Sequence, residues 1–295
     1  SRDPLVMWAC RPVDFTADTA DWLESSSFPS QDVFPAARAG VRQREGSFDT
    51  YLRFVHLAQS GRPSMKVLGF GSFGRVDPYL AELTPAAASQ GSLAGLDAVI
   101  FHKLSGHPGW LGSRSEEFAI QSPTVLGQFP AAALVYRQGL LQEAETARRW
   151  SVTEADALRL HALMARYNEH MDEEPPDDAK RLLEMAEPPA AALAIGKVTV
   201  DIVEKGETHV ESVDLSKYHD EENKVITSMT GQQRWDYGNG LYTVDAPAAQ
   251  CATGFLGKAG KIELSDVVIE SPMEFGTVMV VAMDGRPLAQ SGKIL

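Results

Sequence analysis

The sequence predicts an α/β domain, a helical connector and an all-β domain, in that order along its 295 residues. Three observations predict this organisation. Apolar runs at residues 65–70 and 98–101 flank a helical stretch at 79–89, which is the spacing of a parallel strand–helix–strand unit. Residues 151–190 have a helical pattern, and from Leu193 onward apolar and polar residues alternate. The predicted boundaries are therefore 1–150, 151–190 and 191–295.

The first domain contains three further predicted elements. Residues 5–9 are an apolar run typical of a buried strand, and 48–59 are a helix that Gly61 and Pro63 end. Residues 130–138 are apolar and are predicted as either helix or strand.

Ring-bearing residues lie at, just after or between the predicted strands of this domain, Trp22 among them, and three are selected as site residues: Trp8, His102 and Trp110. In parallel α/β folds the loops at the carboxyl ends of the strands form the ligand site. Flat rings there suit sugars, whose C–H faces are apolar while their hydroxyls need polar partners. The three residues are predicted to bind substrate, with a role as loop-core aromatics as the alternative.

The connector begins at a predicted capping box, in which Ser151 bonds forward and Glu154 reaches back. The acidic residues 172–178 interrupt it as a solvated turn. A short helix follows at 180–186 and ends before Pro188 and Pro189.

The last domain is predicted from period-two alternation at Val198, Val200 and Ile202 and from strand-like runs at 241–244, 262–269 and 277–283. Turn signals at 238–240 and 284–285 separate these runs. Seven or eight short strands in about 100 residues are typical of an antiparallel sandwich.

Composition excludes several classes of protein. The apolar share of 44% and the charged share of 23% exclude wholesale disorder. A net charge of −13 without a basic run argues against nucleic acid as a partner. No apolar run reaches the ~18 residues of a membrane span. Cys10 and Cys251 lie far apart without a C-x-x-C motif, which favours two buried thiols over one disulfide.

The glycines at positions 69, 71 and 74 fit the pattern G-x-G-x-x-G, which cradles phosphates in nucleotide-binding loops. The catalytic motifs of a protein kinase are absent from the sequence. A dinucleotide fold needs an acidic residue ending the next strand, where this chain has His102. A tight turn after a strand is therefore favoured, and nucleotide binding by Gly69, Gly71 and Gly74 is an alternative. The histidines have no metal-ligand spacing, so neither metal nor cofactor is predicted, and His219 with its acidic neighbours is interpreted as a solvated cluster.

Several segments together resemble a family. Residues 61–70, 78–82 and 96–101 resemble the last barrel strands of large bacterial (β/α)8 glycoside hydrolases, and residues 122–139 resemble the segment by which that family leaves its barrel. The remaining segments resemble its trailing β-sandwich: 228–236, 243–247, 254–255 and 284–291. The resemblance implies a barrel-derived first domain, a polysaccharide or oligosaccharide partner, and an extracellular or cell-envelope location.

Two departures qualify the activity that the resemblance implies. Gly69 stands where the retaining enzymes carry their nucleophilic carboxylate, so hydrolysis of glycosidic bonds is in doubt. The 150 residues of the first domain are fewer than the ~250 of a full barrel, which implies a partial or rearranged barrel completed by a second chain or by self-association. Glu82 is the nearest catalytic candidate in sequence. A non-catalytic carbohydrate-binding or structural subunit is the alternative function.

Overall fold

The structure is a computed structural model that describes residues 23–28, 65–71, 80–96, 98–102, 126–159, 177–186 and 188–295. It combines helices with antiparallel sheets, an α+β class, and it also contains a three-stranded parallel sheet. The strands in chain order are β1 (Leu23–Phe28), β2 (Met65–Gly71), β3 (Ala98–His102), β4 (Thr146–Thr153), β5 (Lys197–Val203), β6 (His209–Ser212), β7 (His219–Asp220), β8 (Val225–Thr227), β9 (Gln233–Asp236), β10 (Leu241–Ala246), β11 (Ala249–Gly254), β12 (Ile262–Glu263), β13 (Val268–Ile269) and β14 (Gly276–Val281). The α-helices are α1 (Leu83–Ala94), α2 (Phe129–Arg137), α3 (Asp177–Ala186), α4 (Ala190–Ile195) and α5 (Leu256–Ala259), and residues 154–159 are also helical.

The parallel sheet has the order β1-β2-β3, so each strand pairs with its nearest described neighbour in the chain. β2 and β3 coincide with two of the predicted strands, and α1 connects them as predicted, after a 3-10 turn at Leu80–Glu82. β1 was not predicted. The predicted elements at 5–9 and 48–59 lie outside the described residues. Residues 130–138 are resolved as helix, since α2 covers nearly all of them.

Helix α1 ends in a left-handed glycine cap. Gly95 has a φ of 66°, and the N–H of Leu96 donates to the carbonyl oxygen of Gly91 at 2.9 Å. This 6→1 bond is the Schellman geometry that lets a helix stop and turn back. The turn leads directly toward β3.

Three strands form a mixed sheet in the order β5-β4-β6, in which β5 is parallel and β6 antiparallel to β4. The predicted capping box at Ser151 and Glu154 is therefore wrong, because Ser151 lies inside β4. The helical residues begin after Thr153, whose Oγ1 accepts the backbone N–H of Asp156 at 3.2 Å. The cap is thus two residues later than predicted, because the apolar residues of 146–153 are used to pair strands.

Six strands form an antiparallel sheet in the order β14-β11-β10-β9-β8-β7. Its turns follow the sequence signals: the carboxylate of Asp236 accepts the backbone N–H of Asn239 at 3.0 Å, and Gly240 has a φ of 68°. The single strand predicted at 262–269 is instead the hairpin β12–β13, because residues 264–267 turn back between them.

The main core lies between one face of the six-stranded sheet and the helices α1, α2 and α4. Its buried members include Ala87, Val135, Ile195, Trp235 and Tyr242. A smaller cluster joins α5 and the β12–β13 hairpin to the sheet through Leu241, Ala252 and Leu256. Among the residues described, no helix has both the length and the apolar character of a membrane span.

Candidate functional site

The carboxyl edge of the parallel sheet is where the sequence locates the ligand site. Strand pairing aligns Phe28 with Phe70, and Gly71 with His102, so the ends of β1, β2 and β3 meet at one edge. His102 therefore ends its strand at that edge, as predicted. Trp8 and Trp110 lie outside the described residues.

The glycines of the predicted phosphate loop lie mostly within a strand. β2 continues through Gly71, and Gly69 pairs with Ser27 on one side and Ile100 on the other. Gly69 and Gly71 therefore occupy sheet positions and not a turn after the strand, which corrects the local prediction. Gly74 lies outside the described residues.

Glu82 is the last residue of the 3-10 turn that precedes α1, and it is 1% exposed. The same turn is held against β14, where Thr277 Oγ1 donates to the carbonyl oxygen of Ala81 at 2.7 Å. A carboxyl group so enclosed offers no route to a glycan chain. This arrangement favours a structural role for Glu82 over the catalytic role considered from the sequence.

A buried polar network joins α1 to the six-stranded sheet. Gln233, 0% exposed, accepts hydrogen bonds from Tyr242 Oη at 2.7 Å and Gln90 Nε2 at 3.1 Å. Its own amide donates to the carbonyl oxygen of Ser89 at 3.0 Å. The Ser89 hydroxyl lies 2.5 Å from Tyr242 Oη and 2.8 Å from the carbonyl oxygen of Pro85. The sequence did not predict this network, because the two residues Gln90 and Gln233 that join its halves are more than 140 positions apart.

Stacking reinforces the network on the sheet side. The rings of Trp235 and Tyr242 are 3.8 Å apart with an interplanar angle of 29°. Burial raises the pKa of Tyr242 far above its usual range, so the phenol keeps its proton and remains a donor. The arrangement orients α1; it contains no group poised to titrate near neutral pH.

Cys251 lies in the same core as a free, buried thiol, as the sequence analysis favoured for this residue. Burial raises the pKa of Cys251 to about 12, so it is a poor nucleophile at neutral pH. A cavity of about 10 Å³ adjoins it, lined by Pro85, Val135 and Met279 among others. This volume is far below that of a substrate site. Cys10 lies outside the described residues.

The predicted solvated cluster at His219 forms a turn. Asp220 accepts the backbone N–H of Asn223 at 2.9 Å and its side-chain amide at 2.7 Å, and these bonds hold the pKa of Asp220 below its usual value. The Nε2 atom of His219 lies 2.9 Å from Tyr237 Oη. In the described part of the chain, no group of three His, Cys, Asp or Glu residues is arranged to hold a metal ion.

An open groove of about 300 Å³ runs along β4 and β6, lined by Thr146, Ala147, Arg149, Glu211, Ser212 and Val213. On β5, beside it, Asp201 Oδ2 lies 3.4 Å from Arg149 Nε. Burial raises the pKa of Asp201, and the positive charge of Arg149 opposes that shift. No sequence pattern predicted a functional role for this surface.

The described residues thus offer two candidate surfaces: the carboxyl edge of the parallel sheet and the polar β4–β6 groove. Only the first contains residues selected from the sequence, His102 and the Gly71 that pairs with it. Comparisons of the chain with protein-family models, with curated proteins and with solved structures found no match.

Proposed function

We propose that this protein is a relative of the (β/α)8 glycoside hydrolases that binds a polysaccharide or oligosaccharide at the carboxyl edge of its parallel sheet without hydrolysing it. The first domain is a barrel-derived unit, and the strands after residue 190 are its trailing β-sandwich. The proposal combines the resemblance of the sequence with the geometry of the parallel strands.

The observation that carries the proposal is the pairing of β2. Its two partners, β1 and β3, are the described strands immediately before and after it, and all three are parallel. A (β/α)8 barrel requires this pairing, because each strand lies between its chain neighbours. In a dinucleotide fold, by contrast, the glycine-rich turn follows a strand at the point where the strand order reverses.

Gly69 is the reason for proposing binding without hydrolysis. It is the fifth residue of the seven-residue β2, in the half of the strand nearest the carboxyl edge. Retaining glycosidases need a carboxylate there to attack the anomeric carbon. Glycine has no side chain to do so, and Glu82 is too enclosed to replace it.

The contact between α1 and the antiparallel sheet agrees with the proposed ancestry. α1 follows β2 and contacts β3, while its Ser89 and Gln90 bond to residues of the six-stranded sheet. A barrel helix that also packs against a trailing sheet would be buried in this way, by the barrel strands on one side and by the trailing sheet on the other.

The test is glycan binding measured separately from turnover. We expect isothermal titration or a glycan array to detect an oligosaccharide ligand, and the same oligosaccharide to remain intact after prolonged incubation. ATP and NAD serve as control ligands in a thermal-shift assay, because a ligand that binds only the folded state raises its apparent stability. Absence of glycan binding would remove the carbohydrate function, and a shift with ATP or NAD alone would favour the nucleotide alternative.

A paired substitution tests the role of position 69. Gly69→Glu supplies the carboxylate, and Gly69→Gln has nearly the same size without the charge. If position 69 is the nucleophile position, Gly69→Glu should form a covalent glycosyl adduct with an activated fluoroglycoside, detected by intact mass, and Gly69→Gln should not. An adduct on neither variant, with glycan binding retained by both, would contradict this assignment.

A further inference from the structure

Among the residues that the structure describes, the edge of the mixed sheet at β6 is open. β6 pairs with β4 on one side, and no described residue pairs with its other side. The side chains of His209 and Glu211 are 54% and 63% exposed. An exposed edge strand presents unpaired N–H and C=O groups that can pair with another strand.

The direction of the backbone groups follows from one hydrogen bond. The N–H of Val213 donates to the carbonyl oxygen of Ala147 at 2.9 Å, next to the register that aligns Glu211 with Arg149. Backbone groups along an antiparallel strand alternate between its two sides. Glu211 therefore bonds toward β4, whereas Val210 and Ser212 direct their N–H and C=O groups to the open side.

The short sequence of this strand is complementary to itself. If a second β6 runs antiparallel with Val210 facing the partner's Val210, His209 faces the partner's Glu211, and Glu211 faces the partner's His209. Both pairs occupy positions without mutual backbone bonds, where side chains approach most closely. Within one chain, His209 Nε2 is already 3.8 Å from Glu211 Oε1, so the four side chains would form one alternating cluster.

We infer that a second copy of this chain docks on the open edge of β6, joining two β5-β4-β6 sheets into one six-stranded sheet about a two-fold axis at Val210. Charged residues on an edge usually discourage pairing with foreign strands. Here they favour one partner, because each His209 imidazole faces a Glu211 carboxylate across the axis. The surface is distinct from the parallel sheet and does not depend on the proposed function.

The experiment is a charge exchange followed by sedimentation velocity of the full chain over a wide range of concentrations. Wild-type protein is expected to dimerise reversibly. His209→Glu places a carboxylate opposite Glu211 of the other copy at both contacts across the axis, so it should weaken dimerisation about tenfold or more. Glu211→Lys removes the carboxylate that faces His209 at both contacts and should also weaken dimerisation. Mixing the two variants should restore dimers, because the carboxylate introduced in one chain then faces the ammonium group introduced in the other across the axis. Glu270→Lys, an exposed change outside β6, is the matched control.

A second pair of variants tests the backbone bonds. Val210→Pro removes an N–H that points away from β4, so folding should persist while dimerisation is lost. Val210→Ala keeps that N–H and should still dimerise. A chain that stays monomeric at every concentration would overturn the inference. So would a dimer that His209→Glu and Val210→Pro leave unchanged, or variants that do not associate when mixed.

Discussion

Replacing Gln233 tests whether the network beneath α1 holds that helix on the sheet. Gln233→Ala removes three buried hydrogen bonds: those from Tyr242 Oη and Gln90 Nε2, and the one to Ser89 O. At about 1 kcal/mol for each bond, the loss is about 3 kcal/mol. The orphaned amide of Gln90 adds to this figure, whereas Tyr242 keeps Ser89 as a partner.

Urea unfolding followed by tryptophan fluorescence measures the change, since Trp235 stacks on Tyr242. The urea concentration at the midpoint of unfolding is expected to fall, with little change in the dependence of the unfolding free energy on urea concentration. Gln233→Met removes the same hydrogen bonds but preserves most of the side-chain volume, so it separates the loss of these bonds from the effect of the cavity that alanine leaves. Gln290→Ala, at an exposed position, should alter the free energy of unfolding by less than about 0.5 kcal/mol.

A double-mutant cycle provides the sharper refutation. Gln90→Ala and Gln233→Ala share one bond, so together they should destabilise the protein by about 1 kcal/mol less than the sum of the single changes. Additive effects, or a Gln233→Ala loss below about 1 kcal/mol, would mean that the network does not hold α1.

Three further predictions concern separate parts of the molecule. Gly254→Ala should lower the free energy of unfolding by about 3 kcal/mol or more, because Gly254 has a φ of 134° and a Cβ there would collide with the carbonyl oxygen of Gly240. Gly139 has a φ of 61° but open space around it, so Gly139→Ala should lower the free energy of unfolding by only about 1 kcal/mol in the same urea assay. The stabilising effect of burying the protonated Cys251 thiol is complete below the unfolded-state pKa of about 8.5 and is lost as the pH rises through about 12. Between these two pH values, the free energy of unfolding of the wild type should fall relative to that of Cys251→Ala by up to about 1.4 kcal/mol per pH unit. A difference between the two proteins that does not change with pH would contradict the burial of the thiol. His102→Ala should weaken glycan binding about tenfold by titration calorimetry without moving the urea midpoint, and an unchanged affinity would exclude His102 from the site.

Strands that carry their own pattern were predictable from the sequence. β2, β3, β5 and β10 are rich in Val, Ile, Leu and Phe, and their positions are confirmed within a few residues. β1 has the sequence LESSSF, in which no alternation indicates a strand. Its conformation depends on pairing with β2, which is distant in sequence, so local propensity could not reveal it.

The same limit explains the misplaced helix start. Residues 151–154 satisfy the capping-box pattern, yet β4 continues to Thr153 because it pairs with both β5 and β6. Two rows of backbone bonds outweigh one local cap, whose contribution is typically about 1 kcal/mol. Thr153, the last residue of β4, then caps the helical residues that follow it, because its Oγ1 accepts the backbone N–H of Asp156.

Helix α1 explains why the network could not be predicted, and what it does. Most of its described side chains are buried, so its sequence lacks the polar stripe that marks a solvated face. Ala86 and Ala87 let the helix approach the sheet closely but would fit at several registers. Ser89 and Gln90 accept only the register that pairs them with Tyr242 and Gln233, since any other leaves buried polar groups without partners. The network therefore specifies where α1 docks, and α1 in turn fixes the position of the strands β2 and β3 that it connects.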